Sequence, residues 1–287
     1  MSPQLWALFT ALSYASANVT ARRGMIYSTP STATLLSLIV HTVILWLAVF
    51  LTGGIPKFAT VAALAIAVTG ILQAVIRLCH YTGIDKIGAA RAVTLRSTYP
   101  ILSVIVGITI LKEPASTIAL MGTLSVVVGV ILTSWRLEKQ LTSFRWWHLL
   151  FPLATAVITG VVHPIRRYAM TITDEPLFFA ALVGPISLIS FVIYLYLPTT
   201  TERLIWNQKA LWPFMFASLF ETLGILFMLT AFVSGPLVLV SPITATSPIW
   251  TVLMTAIFLR DLERINLYSI IGTLCVVVGV IAVYLAD

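Results

Sequence analysis

Long apolar runs separated by short polar connections form the dominant pattern along the chain. An α-helix of about 20 residues, rising about 1.5 Å per residue, crosses the roughly 30 Å hydrocarbon core of a bilayer. The pattern therefore predicts an all-α integral membrane protein with ten transmembrane helices. The predicted spans, delimited by charged and turn residues, are 4–21, 32–52, 60–80, 88–110, 116–135, 147–165, 176–197, 211–233, 237–259 and 266–285.

The composition indicates a chain that is solvated mainly by lipid. Hydrophobic residues make up 59% of the 287 residues and charged residues only 9%, whereas soluble domains contain about 25% charged residues. Almost nothing remains for a soluble domain, so we expect a multi-pass protein of the cell membrane. The net charge of +7 is divided among many short loops, which favours roles in topology and contact with anionic lipid over nucleic-acid binding.

An internal repeat divides the chain into two halves. The decapeptide "GTLSVVVGVI" at 122–131 returns as "GTLCVVVGVI" at 272–281, and Pro100 matches Pro248 in the segments upstream. We therefore predict two five-helix repeats, 1–137 and 146–287, joined by the charged linker at 136–147. Since five is odd, the second repeat must enter the membrane from the opposite side. Inverted repeats of this kind are typical of secondary transporters.

The small residues of the decapeptides have a separate interpretation. Gly122, Ser125 and Gly129 lie on nearly one stripe of the fifth span, and the tenth span repeats the stripe. Small residues let transmembrane helices approach closely, so we assign these spans to helix packing rather than to a substrate site.

The segments "YPILSVIVGITILKE" and "SPIWTVLMTAIFLRDLE", each followed by its decapeptide, resemble the drug/metabolite transporter superfamily of the EamA-domain type. The resemblance covers essentially the whole chain. It implies a ten-helix transporter of small metabolites whose central cavity is walled by the third, fourth, eighth and ninth helices with the first and sixth. It also implies cytoplasmic termini, whereas the loops hold ten basic residues on one side against four on the side of the termini, which favours termini outside. Both orientations stay open.

Arg96 and Glu221 are the leading candidates for function. Arg96 lies ten residues beyond Lys86, about 15 Å into the membrane, where an arginine costs about 2.5–3.5 kcal/mol. In the aligned repeats it corresponds to Thr244, and Glu221 corresponds to Gln73. Three hypotheses remain. The two charges pair as a gate or charge balance, or Arg96 binds an anionic substrate while Glu221 takes a proton. In the third, both residues only line a water-filled cavity or form a buried structural ion pair.

Other polar residues at similar depth are further candidates for substrate binding or coupling. The ninth span bends at "SPITATSP", where proline frees a carbonyl that Ser and Thr can satisfy, although a packed kink without a ligand explains the same pattern. A lone histidine among aliphatic residues is more often simply hydrogen-bonded. We expect Arg77 and Arg91 to be interfacial anchors. The additional candidates are Asn18, Thr98, Tyr99, His163, Thr244, Thr246 and Trp250.

The motifs that are missing from the sequence limit the chemistry. The two cysteines fall within or at the edge of spans, and no metal-ligand spacing or phosphate-binding GxxxxGK[ST] loop occurs, so we expect no metal or other cofactor. Energy would come from proton or ion coupling, solute exchange or the substrate's own gradient.

We therefore expect a secondary transporter of a small polar or anionic metabolite, such as an amino acid, working by alternating access. Its partners are the small-molecule solute and the lipid bilayer, and its oligomeric state stays open. The alternative is a membrane-embedded enzyme, or a flippase, for lipid-linked substrates. An enzyme needs converging acid, base or nucleophilic groups, of which Glu221 is the one credible acid in the sequence.

Overall fold

The structure, a computed structural model, describes residues 2–52, 62–87, 89–114, 116–134, 145–197, 203–258 and 267–285. Within these residues the chain forms α-helices and one 3₁₀ turn at Trp146–Leu149, and no strand. The helices are α1 (Pro3–Met25), α2 (Pro30–Leu51), α3 (Ala62–Ile87), α4 (Ala89–Arg96), α5 (Tyr99–Thr109), α6 (Thr117–Ser134), α7 (Leu150–Thr173), α8 (Pro176–Leu195), α9 (Gln208–Ser234), α10 (Leu237–Thr244), α11 (Ser247–Phe258) and α12 (Leu267–Leu285).

Each predicted span coincides with one helix or with two consecutive helices, so the all-α class is confirmed. Six of the described stretches are long and apolar enough to cross a membrane. The first, fourth, fifth and tenth crossings stay predictions. The six stretches are Pro30–Leu51, Ala62–Ile87, Trp146–Thr173, Pro176–Leu195, Gln208–Ser234 and Leu237–Met254.

The sixth predicted span, 147–165, ends too early. Helix α7 continues to Thr173. The next residue, Asp174, caps the helix in a left-handed conformation with a φ of 47°. Arg166 and Arg167 therefore lie inside a helix and not in the loop to which the sequence assigned them. The predicted linker at 136–147 lies outside the described residues except for 145–147.

The fourth and ninth predicted spans are each divided at the same Thr-X-Pro motif, at 98–100 and at 246–248. Proline has no amide hydrogen, and its ring clashes with the carbonyl four residues earlier, so a regular helix does not continue through it. In both motifs the threonine hydroxyl donates a 2.8 Å hydrogen bond to the carbonyl three residues earlier. The two repeats thus contain the same hinge.

The two halves pack around an approximate two-fold axis. Helix α2 packs against its counterpart α8, and α6 packs against its counterpart α12. The contact of α1 with α9 has its equivalent in the contact of α7 with α3. Where the divided helices meet, the contact of α5 with α10 has its equivalent in the contact of α11 with α4. The arrangement confirms the predicted two-repeat architecture.

The contact between α6 and α12 shows that equivalent helices run in opposite directions. A Cβ atom built on Gly129 would lie 2.6 Å from the carbonyl oxygen of Gly272, and one built on Gly279 would lie 2.6 Å from that of Gly122. Between them, the Ser125 hydroxyl donates to the Cys275 carbonyl at 2.8 Å. The two decapeptides are therefore in antiparallel contact with each other, as the packing role assigned to them requires.

Large apolar side chains cover the outward faces of the helices, including Leu47 and Phe50 on α2 and Ile189 and Ile193 on α8. Polar side chains lie inside instead, mainly on α2, α3, α7 and α9. Ionisable residues of membrane helices face the bundle interior in this way because lipid cannot hydrogen-bond them. The interior polar group is therefore the place to look for function.

Candidate functional site

Glu221 on α9 forms a ring of polar contacts with side chains of α2 and α3. One carboxylate oxygen lies 3.4 Å from Nε of Arg77. The other oxygen accepts hydrogen bonds from Ser37 Oγ at 3.0 Å and Tyr81 OH at 2.8 Å. Arg77 also donates to Ser37 Oγ through Nη1, which joins α2, α3 and α9. The Arg77 guanidinium and the Glu221 carboxylate carry opposite charges, so the ring is an electrically neutral unit.

The structure corrects the expected role of Arg77. Its side chain is fully buried in the ring rather than extended to the membrane surface. The side chain of Arg91, assigned the same role, lies outside the described part of the structure. Arg77 was misread because its position near the predicted end of the third span suggested an interface, whereas α3 continues to Ile87.

Arg96, at the end of α4, is close to Glu221 without forming its ion pair. The Arg96 guanidinium lies over the Tyr14 ring, 5.5 Å from the ring centroid, in a cation–π contact. Arg96, Tyr14 and Glu221 line both of two adjoining internal cavities. The partner that the sequence suggested for Glu221 is thus replaced by Arg77, while Arg96 faces the same space.

The two cavities are small. Each has about 10 Å³ of free space, which is close to the room that a single water molecule needs. The first extends between α1, α3, α7 and α9 and also touches Arg96; the second extends towards Asn18, His80 and Tyr81. A separate apolar groove of about 370 Å³ between α6 and α12 offers almost no polar contacts.

Helix α7 lines the first cavity with Thr159, His163 and Arg166. Spacings of four and three residues place them on one helix face. Arg166 is 4% exposed and donates to the Gln73 side chain, which is the repeat equivalent of Glu221. Sequence reasoning missed Arg166 because the predicted span ended at residue 165 and left it in a loop. The spacing from Thr159 and His163 was the signal that would have found it.

Asn18 and His163 both lie in the buried centre, on α1 and α7, the first long helices of the two repeats. The Asn18 side-chain oxygen is 2.8 Å from Nε2 of His80. The His163 ring packs edge-on against Tyr99 and Phe232, with centroids 4.7 Å and 5.6 Å away. Each lines one of the two cavities, Asn18 the second and His163 the first.

The candidates on the divided helices fall into two groups. Tyr99 bonds the Thr244 hydroxyl and the Ser241 carbonyl through its phenol, across the contact between the repeats. The Thr98 and Thr246 hydroxyls donate to their own helices at the hinges. Trp250 is partly buried on α11 and lines neither cavity. These positions surround the site without being gathered into it.

Arg167, next to Arg166, ties helix ends together at one side of the bundle. Its Nε lies 3.2 Å from a carboxylate oxygen of Glu113, and it also donates to the Phe232 carbonyl near the end of α9. The other Glu113 oxygen accepts the amide of Val238 in the first turn of α10, at 3.3 Å. Glu113 belongs to the first repeat and its partners to the second, so this contact closes the halves against each other.

Among the described residues, no three His, Cys, Asp or Glu side chains come together as metal ligands would.

The fold and its polar centre define a helical multi-pass membrane protein built from two repeats. The family model described as "EamA-like transporter family" matches residues 1–135 and 145–285, so the chain belongs to this family. It is a membrane transporter of the drug/metabolite type, as the sequence motifs indicated.

Two further comparisons concern solved structures and curated proteins. The chain is similar to a structure titled "Crystal structure of protein", with a TM-score of 0.74 and 18% identity over 99% of this chain and 97% of the other. At that identity the likeness shows the fold alone. No curated protein matches the chain.

Proposed function

We propose that the chain is a secondary transporter that carries a small polar or anionic metabolite, such as an amino acid or a similar solute, across the cell membrane by alternating access. The observation that carries the proposal is the polar centre formed by the partly buried Arg96, the buried Arg166 and the Glu221 ring. Charged side chains inside a membrane protein are costly, and they mark substrate or ion pathways.

The contributions of both repeats support a site that changes access when the repeats move. Arg96 and Gln73 come from the first repeat, and Arg166 and Glu221 come from the second. Inverted repeats allow a conformation open to one side to be nearly mirrored by one open to the other. A cavity with space for about one water fits a closed step of such a cycle, in which the site is shut to both sides.

The matched hinges provide a place for the movement. Each divided helix bends at Thr-X-Pro, where a backbone hydrogen bond is already missing. The two parts of each divided helix, α4 and α5 or α10 and α11, can therefore tilt relative to each other without breaking a regular helix. Glu221 is the candidate coupling group because its carboxylate reaches both cavities, and a proton there would release Arg77.

The test begins with a thermal-unfolding screen of the purified chain against a metabolite library, because a specific ligand stabilises the folded state. A stabilising solute is then followed in proteoliposomes. Arg96→Ala should abolish flux while folded yield is unchanged, and Arg23→Ala, which removes an exposed arginine, should leave flux intact. Flux by Arg96→Ala equal to that of the wild type would remove Arg96 from the site, and absence of flux for every stabilising solute would contradict a transport function.

A further inference from the structure

We propose that Arg96, Arg166, Thr159 and His163 form a binding site for a small dianion, a solute with two negative charges on carboxylate or phosphate groups. This inference rests on the proposed transport function and specifies its substrate class. It starts from a juxtaposition in the first cavity, where two guanidinium groups from different repeats meet unpaired donors of α7.

The charges around the cavity do not balance. Arg77 and Glu221 neutralise each other in their ring, which leaves Arg96 and Arg166 with a formal charge of +2 when the histidines are neutral. No carboxylate among the described residues lies within ion-pair distance of either guanidinium. A buried charge without a counter-charge is costly, so the cavity favours a ligand with two negative charges.

Unused hydrogen-bonding atoms face the same space. Among the described residues, Arg166 Nε, Thr159 Oγ1 and His163 Nδ1 are buried atoms without a hydrogen-bond partner. All three residues are at most 4% exposed. Buried polar groups in native proteins are nearly always bonded. The unused atoms therefore indicate where ligand oxygens bind, as guanidinium groups bind carboxylate and phosphate oxygens strongly.

The position of the two arginines links this ligand to closure of the site. Arg96 ends α4 of the first repeat and Arg166 belongs to α7 of the second. As the repeats approach each other, the two positive groups repel, and a dianion between them converts repulsion into attraction. The ligand thus draws the two halves together around itself, in an arrangement whose cavity is wider than the about 10 Å³ of this structure.

The experiment measures the thermal unfolding of the full chain, purified in a neutral detergent, with sodium phosphate at pH 7.5 or disodium succinate. Acetate and chloride at the same ionic strength serve as monoanion controls, and glycerol serves as the neutral control. A hundredfold excess over Kd should raise Tm by at least about 5 °C with either dianion. Acetate, chloride and glycerol should give no comparable rise. Equal shifts by dianions and chloride would overturn the proposal.

Variants locate the binding. Arg96→Gln and Arg166→Gln should each weaken the Kd for the dianion at least about tenfold, since one charged hydrogen bond is lost. Arg23→Gln, with the same charge change on an exposed residue, should keep wild-type affinity. Thr159→Val preserves shape and removes one donor, so it tests the site even if Arg166→Gln does not fold. Wild-type affinity in both Arg96→Gln and Thr159→Val would overturn the proposal.

Transport assays separate this inference from the proposed function. Flux of neutral or zwitterionic solutes without any dianion binding would overturn the dianion site and leave the transporter in place. Dianion binding with no flux of any solute would retain the site and contradict transport.

Discussion

Arg77 and Glu221 form a buried ion pair, 3.4 Å between Nε and the carboxylate, that joins the third helix of one repeat to its equivalent in the other through α3 and α9. The pair places a neutralised carboxylate beside two arginines that lack one.

Removing Arg77 should destabilise the protein strongly, because Glu221 would remain as a buried carboxylate without its counter-charge. We expect Arg77→Met to lower the free energy of unfolding by about 3–5 kcal/mol. The double variant Arg77→Met, Glu221→Gln should recover much of this loss, and a double-mutant cycle by denaturant unfolding measures the coupling. Additive effects would show that the pair contributes nothing specific.

Glu221→Gln should abolish uptake driven by a pH gradient and preserve exchange of solute. Glutamine keeps an oxygen for Ser37 and Tyr81 but cannot take up or release a proton. Asp174→Asn is the matched control, since this carboxylate is exposed at the end of α7 and its left-handed backbone accepts asparagine. Flux in proteoliposomes with and without a pH gradient provides the measurement. Equal gradient-driven uptake by wild type and Glu221→Gln would exclude proton coupling at this residue.

Gly129→Ala and Gly279→Ala should each separate α6 from α12. A Cβ atom at either position would approach a backbone carbonyl oxygen to 2.6 Å, and overpacking of this kind costs about 1–3 kcal/mol. Val128→Ala, on an exposed position of α6, should change stability little. Thermal unfolding compares the three variants. A Tm unchanged in both glycine variants would contradict the close antiparallel contact.

Pro100→Ala and Pro248→Ala should slow transport while binding of the solute persists. Alanine restores an amide donor, so each divided helix can become more regular and bend less readily. Because the hinges are equivalent, both variants should change flux in the same direction. Pro176→Ala serves as the control because Pro176 occupies the first turn of α8, where its amide has no helical acceptor. Wild-type flux in both hinge variants would remove the hinges from the mechanism.

The sequence predicted the helices well because apolar runs and the repeat are long signals that do not depend on side-chain contacts. The centre was harder. The alignment singled out Arg96 and Glu221 because the repeats differ there, and both line the cavities. The alignment carried no information on which arginine pairs with Glu221, because the pairing depends on the packing of α3 against α9, which brings Arg77 to Glu221.

Arg166 shows a second limit of sequence reasoning. In an apolar chain, the ends of predicted spans are placed at basic residues. This placement fails where a helix continues past the charge and the surrounding helices shield it, as α7 does. Such a residue is found only by asking which polar residues share one helix face, as Thr159, His163 and Arg166 do.

The antiparallel contact of two nearly identical decapeptides is of the isologous type that joins the subunits of a symmetric dimer. In a dimer of two identical half-length chains, every substitution would occur in both copies. An arginine gained near the two-fold axis would therefore lie next to the same arginine of the other copy. A single chain that contains both orientations is free of this constraint, because each half changes alone. Arg96 opposite Thr244 and Glu221 opposite Gln73 are differences of this kind: covalent fusion permits a chemically asymmetric centre inside a symmetric frame.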